Sequence, residues 1–290
     1  MKQRRVSRLV GWMLVACVIG ATPLAAKSVA VPDYMEHWEF GASVGEDQHP
    51  FYFLDPILPL YRHPTNERVV FLEPRMRLAN SRWLLNLGGG VRQLALNRTW
   101  LLGGNMFYDY TTQHNHYRLG WGLEALSAYA ELRSNVYLRL SPQRLVEDIG
   151  TSQTFERALN GFDMELGAPV PYYSRLKVFG GFNWYGSDNF KNRYGWTLRT
   201  EYKPWPFIVW DLRLNDDTKT NLDWGSTIAL RIPLGGNTEG LRSPLALDQR
   251  MLPSSDASAH LFDLVERHHE IVVERRRVTG SMSVEVKRGS

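Results

Sequence analysis

Alternation of apolar and polar residues constrains the fold of this 290-residue chain more than any other feature. The stretch AELRSNVYLRL, residues 130–140, places Glu131 and Arg133 at one parity and aliphatic residues such as Leu132 at the other. Successive side chains of a β-strand point to opposite faces, so this stretch predicts a strand with one charged and one aliphatic face. The pattern recurs almost everywhere from residue 38 to 234, and no long segment there has a helical period.

The alternating segments predict about twelve strands, most of them near the length that crosses a bilayer at a tilt. Their predicted bounds are 37–45, 51–60, 67–79, 83–94, 99–111, 116–126, 130–140, 160–168, 175–185, 195–203, 207–215 and 223–234.

The polar faces of these strands carry charges of both signs, which one soluble core could not bury. A soluble β-sandwich explains the alternation, but it does not explain these charged faces together with the aromatic bands and loop lengths described next. A closed barrel in lipid does, because its aliphatic rows meet acyl chains and its charged rows pair across a wet or plugged lumen. The predicted fold class is therefore all-β, a transmembrane antiparallel β-barrel in the bacterial outer membrane. The charged residues are Arg75, Arg77, Arg92, Arg118, Glu124, Glu131, Arg133, Asp163, Glu165, Arg199, Glu201, Asp211 and Arg213.

Loop lengths and aromatic residues agree with that interpretation. Links at one predicted end are short, whereas most links at the other end are longer and more polar, which is the outer-membrane pattern. The link 80–82 is an exception, because it is short where a long loop is expected. Aromatic residues near the strand ends are expected to form two interface girdles. They are Trp100, Tyr129, Tyr172, Tyr173, Trp205 and Phe207 at the short-turn end, and Tyr110, Tyr117, Trp184, Tyr185, Tyr194 and Trp224 at the other.

The N-terminal residues predict a secretory signal. Four basic residues precede an apolar run and then small residues, with cleavage expected after Ala26 or Ala30. Those four residues account for the whole formal charge of +4, so the mature chain is near neutral and gives no reason to expect nucleic acid as a partner. Cys17 is the only cysteine, which leaves no thiol for a disulfide, a thiolate metal site or catalysis; as a lipoprotein acceptor it is disfavoured, because apolar residues continue past it.

Residues that could carry chemistry are sparse. Adjacent residues of a strand point to opposite sides, so His268 and His269 are interpreted as a solvated pair rather than as metal ligands. His114 and His116 lie in a predicted surface loop without a partner nearby. The sequence therefore predicts no catalytic residue, no cofactor-binding residue and no metal ligand, and the chain is not expected to be an enzyme or to need a cofactor.

Glycine and arginine clusters have similarly plain interpretations. The glycines of GGGVR, residues 88–92, and of residues 180–181 lack the following helix and Lys-Ser/Thr of a phosphate loop, and are expected to make room for a plug on the inner face of the barrel. Arg275, Arg276 and Arg277 are expected to be solvated, with contact to lipopolysaccharide as the alternative.

Several blocks of the chain resemble the intimin/invasin family, the inverse autotransporters. These blocks are LNLGGGVRQL (85–94), LLGGNMFYDY (101–110), YRLGWGLEALSAYAELRSNVYLRLS (117–141), NGFDMELGAPVP (160–171) and DLVERHHEIVVERRR (263–277). The resemblance implies a twelve-stranded barrel whose two ends lie in the periplasm, and a linker that returns through the lumen and brings a C-terminal passenger, usually of adhesive Ig-like domains, to the cell surface. This chain departs from the family pattern at His268 and His269, where Asn-Asn is usual.

The expected organisation follows from both lines of reasoning. Residues 1–26 are the signal, 27–36 a short periplasmic segment, 37–234 the barrel, 235–265 a linker through the lumen and 266–290 a short surface-exposed stub. Within the linker region, a short helix capped near Ser255 and an extended piece around EIVVERRR remain open alternatives. The expected function is an outer-membrane translocator and anchor that exports its own C-terminal segment, with adhesion as the role of that segment; a stand-alone channel plugged or gated by the tail is the alternative. Expected partners are outer-membrane lipid and lipopolysaccharide, the barrel assembly machinery, periplasmic chaperones, and a host-surface or partner protein.

Overall fold

The computed structural model describes residues 37–46, 49–188, 191–231, 243–252 and 255–279. The predicted signal and periplasmic segment, the last residues of the predicted barrel and residues 280–290 lie outside these ranges. The described residues contain no helix long and apolar enough to cross a membrane. They form a 3₁₀ turn, Ala257–His260, and the following strands: β1 Trp38–Gly45, β2 Phe51–Pro56, β3 Leu58–Arg62, β4 Arg68–Ala79, β5 Arg82–Ala95, β6 Trp100–Thr111, β7 His116–Ser127, β8 Glu131–Arg139, β9 Arg144–Asp148, β10 Ser152–Ala158, β11 Asn160–Val170, β12 Tyr173–Gly186, β13 Arg193–Trp205, β14 Ile208–Asp217, β15 Asp223–Arg231 and β16 Val273–Thr279.

Twelve antiparallel wall strands close into a barrel, which confirms the predicted fold class. The wall runs from β1 through β2 and β3, β4 to β8 and β11 to β15, and β15 pairs with β1 again. β2 and β3 are two parts of one wall strand interrupted at Ile57, and both pair with β4. The interruption follows Pro56, which has no N–H to donate to a neighbouring strand. Each predicted wall strand matches an observed one to within about two residues, apart from residues 232–234.

The alternation predicted along the chain is the alternation of the wall between lipid and lumen. On β8, Arg133 is 6% exposed whereas its neighbour Leu132 is 41% exposed, and Val136 and Leu138 share the outward face with Leu132. A barrel without its membrane exposes its lipid-facing side chains, so exposed aliphatic residues and buried charges are the expected result for this fold.

The two ends of the barrel differ, as predicted. One end, called the periplasmic end, has only short turns between wall strands; the outer end has the longer links, including the β9–β10 hairpin within residues 140–159. The short link at the outer end is a tight turn, because Asn80 and Ser81 both have positive φ, of 46° and 59°. Positive φ at both central residues is the backbone of the two-residue hairpin turn whose twist matches the flanking strands.

The C-terminal part of the chain passes through the barrel. Its residues 255–279, called the tail, begin near Arg98 at the periplasmic end and finish as β16, which pairs with β10 at the outer end. β9, β10 and β16 form a small separate sheet that the sequence did not predict. The short helix and the extended piece that were left as alternatives for this region both occur. The helix is a 3₁₀ turn capped by Asp256, and the extended piece is β16. The predicted end of the linker at residue 265 falls inside the lumen, since contacts of the tail with the inner wall continue to His269.

The lipid-facing assignment makes a first prediction. Met106 lies midway along β6, is exposed, and pairs with the outward residue Trp121 of β7. Replacing Met106 by arginine is expected to destabilise the barrel in a bilayer by about 2–4 kcal/mol, because a charge near the membrane centre must leave water. Equilibrium unfolding in urea in phospholipid vesicles measures it. The control is Leu96→Arg, in the periplasmic turn, where an exposed leucine lies outside the wall and should be replaceable at little cost. Equal losses at the two positions would contradict the lipid-facing assignment.

Candidate functional site: the occupied lumen

Buried arginines line the lumen, and the wall itself neutralises them. Arg92, Arg118 and Arg199 are fully buried. A buried ion needs a close partner of opposite charge, because water no longer solvates it. Each of the three arginines has one on another wall strand: Arg92 Nε is 2.5 Å from Glu124 Oε1, Arg118 Nε is 2.7 Å from Asp109 Oδ2, and Arg199 Nη2 is 2.6 Å from Glu165 Oε2. The inner surface of the barrel is therefore a set of paired charges rather than a field of one sign.

Glycines of the wall leave space for inward aromatic rings. A Cβ at Gly88 would stand 2.1 Å from the ring of Phe107 on the neighbouring strand, so only glycine fits there. The glycines of GGGVR were expected to make room for a plug. Gly88 makes room for the ring of Phe107, and the tail contacts that ring, because the guanidinium of Arg267 lies 4.4 Å from its centroid. The expectation was wrong for Gly180, which faces outward with no heavy atom within 4 Å of where its Cβ would stand.

Apolar packing closes the lumen at the periplasmic end. Ala257, Leu261 and Val265 of the tail form one buried cluster with side chains of the wall. The wall members are Ile57, Val69, Phe71, Leu94, Leu101, Phe107 and Leu126. Inward aliphatic residues are unusual in a polar lumen, and here they give the tail a dry contact surface where it enters the barrel.

Wall side chains satisfy the backbone of the tail, which has no strand partner inside the lumen. Arg92 donates to the carbonyl oxygens of Leu261, at 3.1 Å, and Asp263, at 2.5 Å. The backbone N–H of Val265 donates to the carboxylate of Glu73, 3.2 Å from Oε2. Buried backbone groups need such partners, so these contacts hold the part of the tail nearest the periplasmic end in one position.

Arg267 joins the tail to the wall by a two-pronged contact. Its two terminal nitrogens donate to Asp109, at 2.9 Å to Oδ1 and 2.7 Å to Oδ2. Asp109 also accepts from Arg118 at 2.7 Å and from Asn86 at 2.7 Å, so one buried carboxylate joins tail and wall. A two-pronged guanidinium–carboxylate contact fixes orientation as well as position. Arg118 was among the predicted inward charges, whereas Asp109 and Arg267 were not. The inward parity of Asp109 with Phe107 was the available signal.

The two adjacent histidines lie inside the barrel. The backbone N–H of His268 donates to Tyr137 Oη at 2.8 Å, its Nδ1 contacts the hydroxyl of Tyr185, and the carbonyl of His269 accepts from Asn86 at 3.2 Å. The interpretation as a solvated pair was therefore wrong, because the tail reaches the outer surface later along the chain than predicted.

The tail leaves the lumen through a polar cluster under the β9–β10 hairpin. Glu156 of β10 is 2.8 Å from His114 Nδ1 and 3.2 Å from His116 Nε2, and it accepts from Arg275 Nε of β16 at 2.6 Å. The expectation that these histidines lack a partner was wrong, because their partner is distant in sequence. Arg275 and Arg277 are likewise held by β10 through Glu156 and Ser152 rather than simply solvated.

Acid is expected to loosen β16 from β10. Burial raises the pKa of Glu156, but the donors of His116, His114 and Arg275 outweigh it and lower this pKa to about 2. A lowered pKa stabilises the folded state above the ordinary glutamate value; with allowance for solvent screening this contribution is on the order of 1–2 kcal/mol, and it disappears as the pH falls towards 2. Hydrogen exchange of the β16 amides, corrected for intrinsic exchange rates, should accelerate between about pH 5 and pH 2. In Glu156→Gln, exchange should already be fast at neutral pH and change little on acidification; an unchanged acid response would contradict the assignment.

Three carboxylates also approach one another in the described part of the lumen. Atoms of Glu201, Asp211 and Glu266 lie within 4.8 Å. Lys203 is 2.8 Å from Glu201, and Arg199 is 3.2 Å from Asp211, so nearby cations already balance this group. The expectation of no catalytic, cofactor-binding or metal-ligating residue stays a prediction.

The occupied lumen and the wall match one protein family. The family model for the β-domain of inverse autotransporters matches residues 47–269, which include most of the wall and the tail as far as His269. The chain belongs to the inverse autotransporter family. Its predicted resemblance to intimins and invasins is thereby confirmed, and the barrel is an outer-membrane translocator of a family of adhesins and translocators.

Curated inverse autotransporters are similar over most of this chain. Invasin of Yersinia enterocolitica is 31% identical over 237 residues, covering 77% of this chain and 27% of invasin. The inverse autotransporter adhesin YeeJ of Escherichia coli K12 is 27% identical, covering 77% of this chain and 10% of YeeJ. Intimin of Escherichia coli O111:H- is 26% identical, covering 77% of this chain and 24% of intimin. The chain thus spans about a quarter or less of the length of these relatives.

A solved structure shows the same fold as this inverse autotransporter. It is a membrane protein studied for in-meso crystallization, 23% identical, with a TM-score of 0.68, and the match covers 82% of this chain and 99% of that one. The predicted location in the outer membrane agrees with both the family and this fold.

Proposed function

We propose that this barrel exports its own C-terminal segment and holds it at the cell surface. The observation that supports the proposal is the path of the tail. It contacts Arg98 at the periplasmic end, Asp109 within the lumen and β10 at the outer end. A chain that runs from one end of the wall to the other has its last described residues, those of β16, at the outer end. The paired charges of the wall suit this role, because a peptide backbone can lie against them without meeting an uncompensated charge.

Labelling of a single cysteine in intact cells tests the proposal. In Ser283→Cys, a membrane-impermeant maleimide added outside should react, because position 283 follows β16. The predicted mature chain has no cysteine, so the parent protein should stay unlabelled.

Two matched variants set the limits of the assay. Ile149→Cys, at the exposed tip of the β9–β10 hairpin, should react, and Glu67→Cys, in an exposed periplasmic turn, should react only after the outer membrane is opened. A Ser283→Cys variant that behaves like Glu67→Cys would reject export of this segment.

A plugged channel is the second candidate function. The contacts that support it are those that hold the tail across the lumen, above all Arg267 with Asp109. In that case the tail gates the pore. Protection of Ser283→Cys together with ion conductance by the full chain would favour the channel.

The remaining parts of the proposal concern partners. The relatives include proteins named invasin, intimin and adhesin, and we extend adhesion to the exported segment, with a host-surface or partner protein as its target. Lipopolysaccharide and outer-membrane lipid surround the wall, and the barrel assembly machinery and periplasmic chaperones assist its insertion. The proposal gives the chain no catalytic role, which assays for lipase and protease activity on the refolded barrel would check.

A further inference from the structure

Residues 243–252, called the interface segment, are fastened to a periplasmic turn before the chain reaches the tail. The N–H of Asp248 donates to the carbonyl of Tyr172 at 2.7 Å, and the N–H of Tyr172 donates to that of Met251 at 2.9 Å. The carboxylate of Asp248 also accepts from the N–H and the hydroxyl of Ser174, at 2.7 and 2.6 Å. Four hydrogen bonds, two to Tyr172 in the turn and two to Ser174 at the start of β12, give this segment a defined position.

That position is at the rim of the wall and includes its lipid side. The carbonyl of Pro244 accepts from the hydroxyls of Tyr173, at 2.7 Å, and Tyr202, at 3.1 Å. Tyr202 has the outward parity of β13, which it shares with the exposed residues Trp196 and Leu198. Arg175, which has the inward parity of β12, also donates to the carbonyl of Ser243 at 3.3 Å. The segment therefore lies across the rim of the wall and reaches the edge of the membrane at Tyr202.

The interface segment exposes large apolar side chains at this place. Leu245 is 80% exposed, Leu247 69% and Met251 54%, which compares with 72% for Leu123 on the lipid-facing side of β7. These residues lie beside tyrosines predicted to form the periplasmic girdle, and Arg250 between them is also exposed. Apolar side chains next to aromatic residues and a cation have the composition of a segment lying at a bilayer interface.

We propose that the interface segment inserts Leu245, Leu247 and Met251 into the periplasmic leaflet of the outer membrane. The occupant is lipid, because the apolar surface of the segment continues the lipid-facing surface of the wall at Tyr202. Arg250 is placed to meet lipid phosphate, as basic residues at membrane edges do. The segment then anchors the chain at the rim of the barrel, so that the tail enters the lumen from a fixed point. This proposal does not depend on export and can fail while export holds.

Quenching by brominated lipid tests the proposal on the full chain. Leu247→Cys carries an environment-sensitive fluorophore, and the protein is refolded into vesicles of brominated phosphatidylcholine. Its fluorescence should be quenched nearly as strongly as that of Leu102→Cys, which lies on the lipid-facing side of β6, and several-fold more than that of Glu67→Cys in an exposed periplasmic turn. Quenching equal to that of Glu67→Cys would overturn the proposal.

Two further measurements separate the alternatives. A triple variant combines Leu245→Ser, Leu247→Ser and Met251→Cys and carries the fluorophore at position 251. Its quenching should fall well below that of Met251→Cys alone, since the other apolar contacts with lipid are gone. An unchanged value would overturn the proposal. Protection of the Leu247→Cys label in cell envelopes without quenching in vesicles would also overturn it, and would assign the surface to a periplasmic protein or to the cell wall.

Discussion

Removal of residues 255–290 is expected to turn the occupied barrel into an ion-conducting one. The tail is held from several sides of the lumen, with Glu266 3.8 Å from Arg199 of β13 and Arg267 bound to Asp109 of β6. The wall should fold without it, because the arginines of the wall pair mainly with carboxylates of the wall. Beyond the apolar side chains of the periplasmic end, the lumen that remains is lined by charges and will fill with water.

Conductance in planar bilayers measures this effect. The shortened chain should give steps several-fold larger than those of the full chain, which should be small or absent. Heat-modifiable migration in gels shows whether the shortened barrel is folded. A matched variant is Arg267→Ala, which removes one anchor and leaves the tail present; it should give an intermediate result. A folded shortened barrel with no more conductance than the full chain would show that the tail is not what closes the lumen.

Replacement of Asp109 by alanine is expected to destabilise the folded barrel by roughly 3–5 kcal/mol. Asp109 is fully buried and joins Arg118 of the wall to Arg267 of the tail. Without it, two buried guanidinium groups share no carboxylate at this place, and the loss of one partner of a buried ion pair is far more costly than the loss of an exposed one. The unfolding midpoint in urea, followed in detergent micelles by gel migration, measures the change.

The matched control for Asp109→Ala is Asp188→Ala. Asp188 is 2.7 Å from both Arg139 and Arg157, but it is exposed at the outer end, where water and salt screen the pair. The urea midpoint of Asp188→Ala should equal that of the parent protein. Equal shifts in the two variants would mean that burial of Asp109 does not decide its contribution.

The wall was predictable from sequence because its requirements are local. Each strand meets lipid on one face and the lumen on the other, so alternation in a stretch such as residues 130–140 specifies both faces without knowledge of the partner strand. Strand bounds followed from the same rule. Even the exceptional link at Asn80 has a local explanation in its positive φ.

The lumen contacts were not predictable in this way because they join residues far apart in the chain. Glu156 and Arg275 are separated by 119 positions, and Asp109 and Arg267 by 158. An alternation pattern assigns each residue to a face but does not say which inward residues meet. The histidines at 268 and 269 were misplaced for this reason, since their environment depends on how far the tail travels before it leaves the wall.

The links at the outer end of the barrel are unequal: the turn at Asn80 has two residues, whereas the link between β8 and β11 contains the whole β9–β10 hairpin. The hairpin tip at Gly150 is exposed, has a φ of +60°, and has no heavy atom within 4 Å of where a side chain would begin. A short epitope or affinity tag inserted at this tip would therefore stand clear of the pore and of the neighbouring loops.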